Sequence, residues 1–409
     1  MSHLDLELHL SDEAKAMQKT VRKFGMEVMR PAGIDLDKLA DPADVIAEGS
    51  VLYDVFKTFR ELGLHKMGLP RALGGMQEDM PAGVMPLIWE ALGYADAGLA
   101  ISLTAALFPF YIAMMSPEPE MQELVRAFSE DTEAEMIGCW ALTEPDHGSD
   151  WIMGAMPGMD DPRCAPSVRA VLKGDEYIIN GTKAAWVSNG TIATHGAVHV
   201  SLNPSKGMHG TGLAVIPLDL PGIFRGKPLD KLGQRPLNQG EIIFEEVKIP
   251  KQYMVVADTA AMTTMMPMIL TGGNTGMGNF FSGLAQAAFD EAFKYAKERI
   301  QGGQPIIKHQ NIQLKLFNMF TAVEATRAFS RKVALYNFEN EPGSLAYAIA
   351  SKNFATGTAF KVASEAIQIF GGSGLSKEYP IEKMFRDARA ALIEDGVNES
   401  LALVGVVDL

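Results

Sequence analysis

Residues 176–190 read EYIINGTKAAWVSNG. The run is rich in β-branched and aromatic residues and lacks helical spacing. Its Asn-Gly pairs, Asn180–Gly181 and Asn189–Gly190, are hairpin or tight-turn signals. The stretch decides the fold class because the chain on both sides is helical in pattern. Moving outward, HGAVHVSLN (195–203), GTGLAVIPLDLPG (210–222) and QGEIIFEEVKIP (239–250) continue the β character. Upstream, SDEAKAMQKTVRKFGMEVM (11–29) opens with Ser11 as a helix N-cap and acidic residues in the first turn. GSVLYDVFKTFRELGL (49–64), MPAGVMPLIWEALGYADAGLAIS (80–102) and EPEMQELVRAFSED (118–131) follow with helical spacing. After Pro250 long helical runs return, from GNFFSGLAQAAFDEAFKYAKERI (278–300) to PIEKMFRDARAALIED (380–395). The expected fold is mainly α with a β middle. It comprises an N-terminal helical domain (1–137), a small β-barrel or sandwich (138–250) and a C-terminal four-helix bundle (251–409).

The 409 residues are 47% hydrophobic, enough for a large core, and the net charge is −14. That charge argues against nucleic acid or an anionic membrane as main partner, since both need clustered Lys and Arg. Two cysteines, Cys139 and Cys164, make no disulfide framework and point to a reducing, cytoplasmic location. The N-terminal residues do not read as a signal peptide, and no apolar run is long enough for a membrane span. No metal is expected. The 24 methionines read as core filler and plastic pocket walls.

Four stretches carry chemistry. CWALTEPDHGSD (139–150) offers hydroxyls and backbone N–H groups in one loop, which suits a flat heteroaromatic ring or a phosphate. Alone it reads rather as an ordinary connecting loop. GTKAAWVSNG (181–190) places Trp186 and Ser188 two apart, on one face if the stretch is a strand. YAKERIQGGQPIIKHQ (295–310) ends a helix with Arg299 before a Gly-Gly turn, which suits a pyrophosphate or simply a solvated helix end. AIQIFGGSGLSKEYPIEKMFRDAR (366–389) has a Gly-rich turn that lets backbone approach a ligand, though most such turns are only turns.

Together, in this order and on this α-β-α plan, the four stretches resemble the acyl-CoA dehydrogenase family over nearly the whole chain. The resemblance implies bound FAD, an acyl-CoA substrate, an electron-transfer flavoprotein as acceptor and a homotetramer. It also implies site roles. Trp140, Leu142, Thr143 and Ser149 lie along the flavin, with Ser149 also touching the CoA arm. Trp186, Val187 and Ser188 flank the isoalloxazine. Arg299, Gln301, His309 and Gln310 hold the FAD of a neighbouring subunit, and Gln368 to Gly372, including Gly371, meet its pyrophosphate and adenosine end. Asn274 and Gly396 adjoin the substrate.

The departures concern the base. The family's usual Glu-Gly-Thr after RDAR is Asp395-Gly396-Val397 here, so Asp395 is the expected catalytic base. Asp is one methylene shorter, about 1.5 Å of reach. Val397 lacks a hydroxyl that usually contacts FAD, a loss Asn398 partly replaces. The alternative base position is Gly273, followed by Asn274 where Arg is usual, and Gly302 stands where Phe is common. The segment after Ser149–Asp150 is longer than usual. These changes surround the expected acyl pocket and point to a compact or alicyclic acyl group. Glu394 is expected to meet a polar neighbour or solvent. Asp96 is read as an auxiliary acid or, as Asp is more often used there, a helix-end residue.

Three readings follow. The first is an FAD-dependent dehydrogenase that abstracts an acidic proton of an acyl-CoA and passes hydride to flavin N5, giving an enoyl-CoA. The second keeps the fold with other chemistry, such as 1,4-dehydrogenation of a cyclic enoyl-CoA, or an oxidase or monooxygenase like the nitroalkane oxidases. The absence of Arg after Asp395 lowers the nitroalkane option. The third is a non-catalytic scaffold, which has no need of a flavin cradle.

Overall fold

The structure, a computed structural model, describes residues 10–409. Its N-terminal part contains helices α1 (Asp12–Phe24), α2 (Arg30–Lys38), α3 (Pro42–Val45), α4 (Val51–Glu61), α5 (Val84–Ala95), α6 (Ala97–Ala105), α7 (Phe108–Ala113) and α8 (Pro119–Glu130). Ser11 does cap α1, its hydroxyl accepting the Ala14 N–H at 3.1 Å. The run at 80–102 is two helices rather than one. Asp96 breaks out of helical geometry and caps α6, accepting the Leu99 N–H at 2.9 Å.

Seven strands follow: β1 (Gly138–Ala141), β2 (Arg169–Lys173), β3 (Glu176–Lys183), β4 (His195–Ser201), β5 (Thr211–Pro217), β6 (Ile223–Arg225) and β7 (Ile242–Pro250). They form one mixed sheet. β4 pairs with β1 and β2 in parallel and with β5 antiparallel, and β3, β7 and β6 run on from β2 as antiparallel neighbours. The sheet closes round its own core, which includes Ile179, Val198, Ile216, Phe244 and Val247.

Two local expectations change. Asn180–Gly181 is no hairpin turn; it lies inside β3, where the pairing with β7 shifts register. Asn180 donates from Nδ2 to Glu246 Oε1 at 2.7 Å and accepts the Glu246 N–H at 2.8 Å, so its amide fills the gap left in the ladder. The β2–β3 turn falls at Gly174 and Asp175 instead. In addition, β3 ends at Lys183, so Trp186 and Ser188 lie on a loop and not on one strand face. Asn189–Gly190 is the tight turn expected, with Asn189 at φ 60°.

The chain then enters α9 (Thr259–Glu298), a short hairpin β8 (Ile300–Gln301) and β9 (Gln304–Pro305), and helices α10 (Gln310–Glu339), α11 (Leu345–Phe370), α12 (Ile381–Ala390) and α13 (Asn398–Gly405). α9 packs against α10 and α11, and also against α5 from the N-terminal part. The two helical parts therefore share one continuous apolar core, from Phe24 and Phe59 through Ile88 to Phe281, Ala359 and Ile381. Close approach of α5 and α9 requires Gly283: a Cβ there would sit 2.1 Å from the Glu90 carbonyl oxygen. Among the described residues no helix is long and apolar enough to cross a membrane, and no His, Cys, Asp and Glu cluster could hold a metal.

Candidate active site

The turn between α12 and α13 is the centre of the site. Asp395 adopts φ 51° and Gly396 φ 95°. Left-handed geometry is uncommon for Asp and cheap for Gly. Gly396 is also required by space, since a Cβ would lie 2.7 Å from Ile152 Cδ1. The turn is held from three parts of the chain. Ser149 Oγ accepts the Val397 N–H at 3.2 Å. Lys352 Nζ donates to the Gly396 carbonyl oxygen at 2.8 Å and to Asn398 Oδ1 at 2.7 Å. Gln234 Nε2 donates to Glu394 Oε1, while the Gln234 backbone N–H donates to Asp387 Oδ1.

The neighbouring carboxylates thus differ. Glu394 is tied to Gln234. Asp395, partly buried, has no hydrogen-bond or ion-pair partner among the described residues. Burial raises the Asp395 pKa, and the Lys352 charge draws it back. Glu394 is pushed up to about 8, first by burial and then by the negative charge of Asp395. A free carboxylate of raised basicity is what a general base needs.

The loop after β1 is anchored from beneath. Glu144 and Lys183 form an ion pair at 2.7 Å with both side chains fully buried. Glu144 also accepts from the Ser167 hydroxyl at 2.7 Å and the Val168 N–H at 3.2 Å, and Lys183 donates to the Leu142 carbonyl oxygen at 3.0 Å. The Thr143 carbonyl oxygen accepts the Ala184 N–H at 2.9 Å. Trp140 Nε1 donates to His199 Nε2 at 2.9 Å, which requires a neutral His199. Burial, helped by the Lys183 charge, holds its pKa well below the ordinary histidine value. On the facing loop Trp186 is 57% exposed, not core. Gln239 Nε2 donates to Ser188 Oγ at 3.3 Å and to the Trp186 carbonyl oxygen at 3.1 Å, and Gln239 Oε1 accepts from Lys231 Nζ at 2.6 Å. Lys231 in turn feels the charge of Glu394, which links this loop to the base turn.

A second group of expected residues lies elsewhere. Arg299, Gln301, His309 and Gln310 follow the C-terminus of α9, and His309 Nε2 meets the Gln301 carbonyl oxygen at 2.9 Å. Gln368, Gly371 and Gly372 sit at the same end of the bundle, where Tyr295 stacks on Phe370 at 4.0 Å. Gln368 is sixteen residues along α11 from Lys352, about 24 Å at the helical rise. Arg299 is exposed and has no ion pair among the described residues. A Cβ on Gly371 or Gly372 would meet open space. This end is therefore a bare, ligand-accessible Gly-rich turn at the same end as an unpaired cation, and Trp186 is an exposed aromatic face. Those donor types fit a flavin dinucleotide shared between two such ends.

Three expected residues are placed differently from a pocket lining. Asn274 is 1% exposed and donates from Nδ2 to the Leu270 carbonyl oxygen of its own helix at 2.8 Å, while its Oδ1 is buried without a protein partner among the described residues. The Asn398 side chain is engaged by Lys352 at Oδ1 and by Thr356, at 3.0 Å from Nδ2 to Oγ1, so its amide braces the turn. Asp96 caps α6 and pairs with Lys383 at 2.6 Å, so of its two readings the helix-end one stands. Gly273 is exposed, with open space where a side chain would be.

Sequence reading missed Gln234, Lys352, Glu144 and Lys183. The last two stand inside the quoted TEPD and NGTK stretches, where an acid and a lysine were the available signal. Gln234 and Lys352 carry no such signal, because only the fold brings them to the turn.

Comparison with known proteins places the chain in a family. Family patterns described as acyl-CoA dehydrogenase N-terminal, middle and C-terminal domains match residues 11–129, 139–247 and 264–405. The chain is 32% identical over 97% of its length, and 90% of the relative's, to the short-chain specific acyl-CoA dehydrogenase of Rattus norvegicus mitochondria. It is 30% identical to the cyclohex-1-ene-1-carbonyl-CoA dehydrogenase of Geobacter metallireducens, covering 97% of each. The solved butyryl-CoA dehydrogenase of Megasphaera elsdenii superposes with a TM-score of 0.85 at 28% identity, covering 98% of this chain and 99% of that one.

Proposed function

The chain belongs to the acyl-CoA dehydrogenase family, oxidoreductases acting on CH–CH bonds, and on that premise we propose that Asp395 is its catalytic base. The single observation that carries this is the contrast at the α12–α13 turn. Asp395 is the free carboxylate of the pair, and the loop that carries Thr143 is tied to the same turn through Ser149. FAD supplies the hydride acceptor when bound. The protein's own task is to hold a thioester against Asp395, to exclude water, and to take the proton next to the carbonyl onto the Asp395 carboxylate. Trp140, Leu142, Thr143, Ser149, Trp186, Ser188 and Val397 would hold the cofactor in one subunit, and Arg299, Gln301, His309, Gln310, Gln368, Gly371 and Gly372 in a neighbour. The distance between the two groups along α11 supports that division. It favours a homo-oligomer, a tetramer by family resemblance. Leu314, Phe317, Tyr347 and Phe354 leave apolar faces of α10 and α11 exposed, as a contact with further copies requires.

The substrate reading is a compact acyl group. A short base, an open Gly273 and a lengthened segment after Ser149 support it. The similarity to dehydrogenases of short-chain and cyclohexene-carbonyl thioesters agrees. Electron-transfer flavoprotein is the proposed acceptor. A panel of straight-chain, branched, cyclohexane- and cyclohex-1-ene-carbonyl thioesters of CoA, added anaerobically to the purified flavoprotein, tests this. Bleaching by short or cyclic members with slow reoxidation in air is expected; rapid reoxidation by oxygen would mark an oxidase.

A further inference from the structure

The turn that carries Asp395 rests on a cation with no ion pair. Lys352, on α11, is fully buried. Its two hydrogen-bond partners, the Gly396 carbonyl oxygen and Asn398 Oδ1, are both neutral. Among the described residues no carboxylate lies within ion-pair distance of it. A buried ammonium is unfavourable unless an opposite charge is near.

The charges that reach Lys352 are those of Asp395, Glu394 and Glu399. Glu394 is engaged by Gln234 and also faces Lys231, from the loop between β6 and β7. Glu399, in the first turn of α13, is exposed to solvent. The contact with α9 at this level is made by Gly278, which adds no charge. Asp395 remains as the anion whose ionisation Lys352 compensates.

The backbone gives a second reason. Asp395 and Gly396 both occupy left-handed geometry, which persists where the surroundings hold it. Lys352 grips the carbonyl of the second of these residues.

We propose that Lys352 is a positioning residue for the base: it fixes the left-handed Asp395–Gly396 turn and is the counter-charge of ionised Asp395. The proposal rests on the assignment of Asp395 as base. When Asp395 takes the substrate proton it becomes neutral, and Lys352 is left without compensation. Release of that proton to solvent restores the pair, so the cation resets the base after each turnover. Burial brings Lys352 down to about 8, which leaves it charged at neutral pH.

Isotope-edited infrared titration of the Asp395 carboxyl in the purified flavoprotein tests this, the band being identified by its loss in Asp395→Asn. Lys352→Met should move the midpoint upward by about one pH unit or more, because an adjacent cation holds a carboxyl down. The acid limb of kcat/KM should move with it. Lys352→Arg, which keeps the charge, should stay near wild type. If Lys352→Met does not fold, Lys352→Gln keeps a donor for the turn without the charge and carries the same expectation. An unmoved midpoint in the uncharged variant overturns the proposal. Turnover of Asp395→Asn is read separately, and its retention would overturn the base assignment itself.

Discussion

The Ser149 hydroxyl oxygen accepts the backbone N–H of Val397 at 3.2 Å. A residue of the loop after β1 thereby fixes the residue two beyond Asp395, so the β middle and the C-terminal helices are registered at the site. Ser149→Ala leaves that N–H without its protein partner. The expected loss of stability is about 1 kcal/mol, seen as a small fall in melting temperature. The fall in kcat should be larger than the stability change accounts for, because the turn carrying Asp395 loses a support. Ser149→Thr, which keeps the hydroxyl, should recover most of the activity.

Asp395→Glu lengthens the proposed base by one methylene in a turn that carries the shorter residue. A misplacement near 1 Å costs on the order of 10²-fold in rate. The variant should fold normally and reduce slowly with a cyclic or short thioester in stopped-flow measurements.

Glu394 gives a pH signature. Its folded pKa is raised from 4.5 to about 8, mainly by burial. The folded state therefore holds a proton that the unfolded chain releases between those values. Stability from this group is fully present below about 4.5 and is lost as pH rises through about 8. Thermal unfolding of wild type and Glu394→Gln across that window should show wild type losing stability relative to the variant as pH rises.

The Glu144–Lys183 pair, fully buried at 2.7 Å, pins the loop that bears Thr143. Lys183→Met leaves Glu144 buried without its cation and should cost about 3–5 kcal/mol. Adding Glu144→Leu should recover part of that loss, and denaturant titration of the single and double variants reads the difference.

The proposed division of the cofactor site between subunits predicts complementation. Arg299→Ala and Asp395→Asn proteins should each be inactive. Dissociated and reassociated together, they should regain activity, because a hybrid pair rebuilds one complete site from Asp395 of one chain and Arg299 of the other. At equal mixing, about a quarter of wild-type activity is expected for two-fold pairs.

Much of this was legible in the residues. The α-β-α order follows from hydrophobic period, and the β middle was marked by runs such as EIIFEEVKIP. Local polar detail was less legible. Asn180–Gly181 has the sequence of a hairpin turn, yet its Asn side chain pairs with Glu246 across the sheet and seals a register shift. Trp186 and Ser188 have the spacing of one strand face, yet both stand on a loop, with Trp186 exposed. Asp395 could be singled out by its place before Gly396. Its supports could not be, because Ser149, Gln234 and Lys352 lie far apart in sequence and meet only through tertiary packing. The burial of Asn274 could not be read either, because it depends on which face α9 turns to α10 and α11.

The most direct test of Asp395 as base is anaerobic reduction of the bound flavin by a short-chain or cyclohexane-carbonyl thioester of CoA, in wild type and in Asp395→Asn. The wild-type spectrum should bleach, and the variant, with its flavin bound and its fold intact, should not bleach on the same timescale. Full bleaching by Asp395→Asn at the wild-type rate would contradict the assignment and move the search for the base to Glu394.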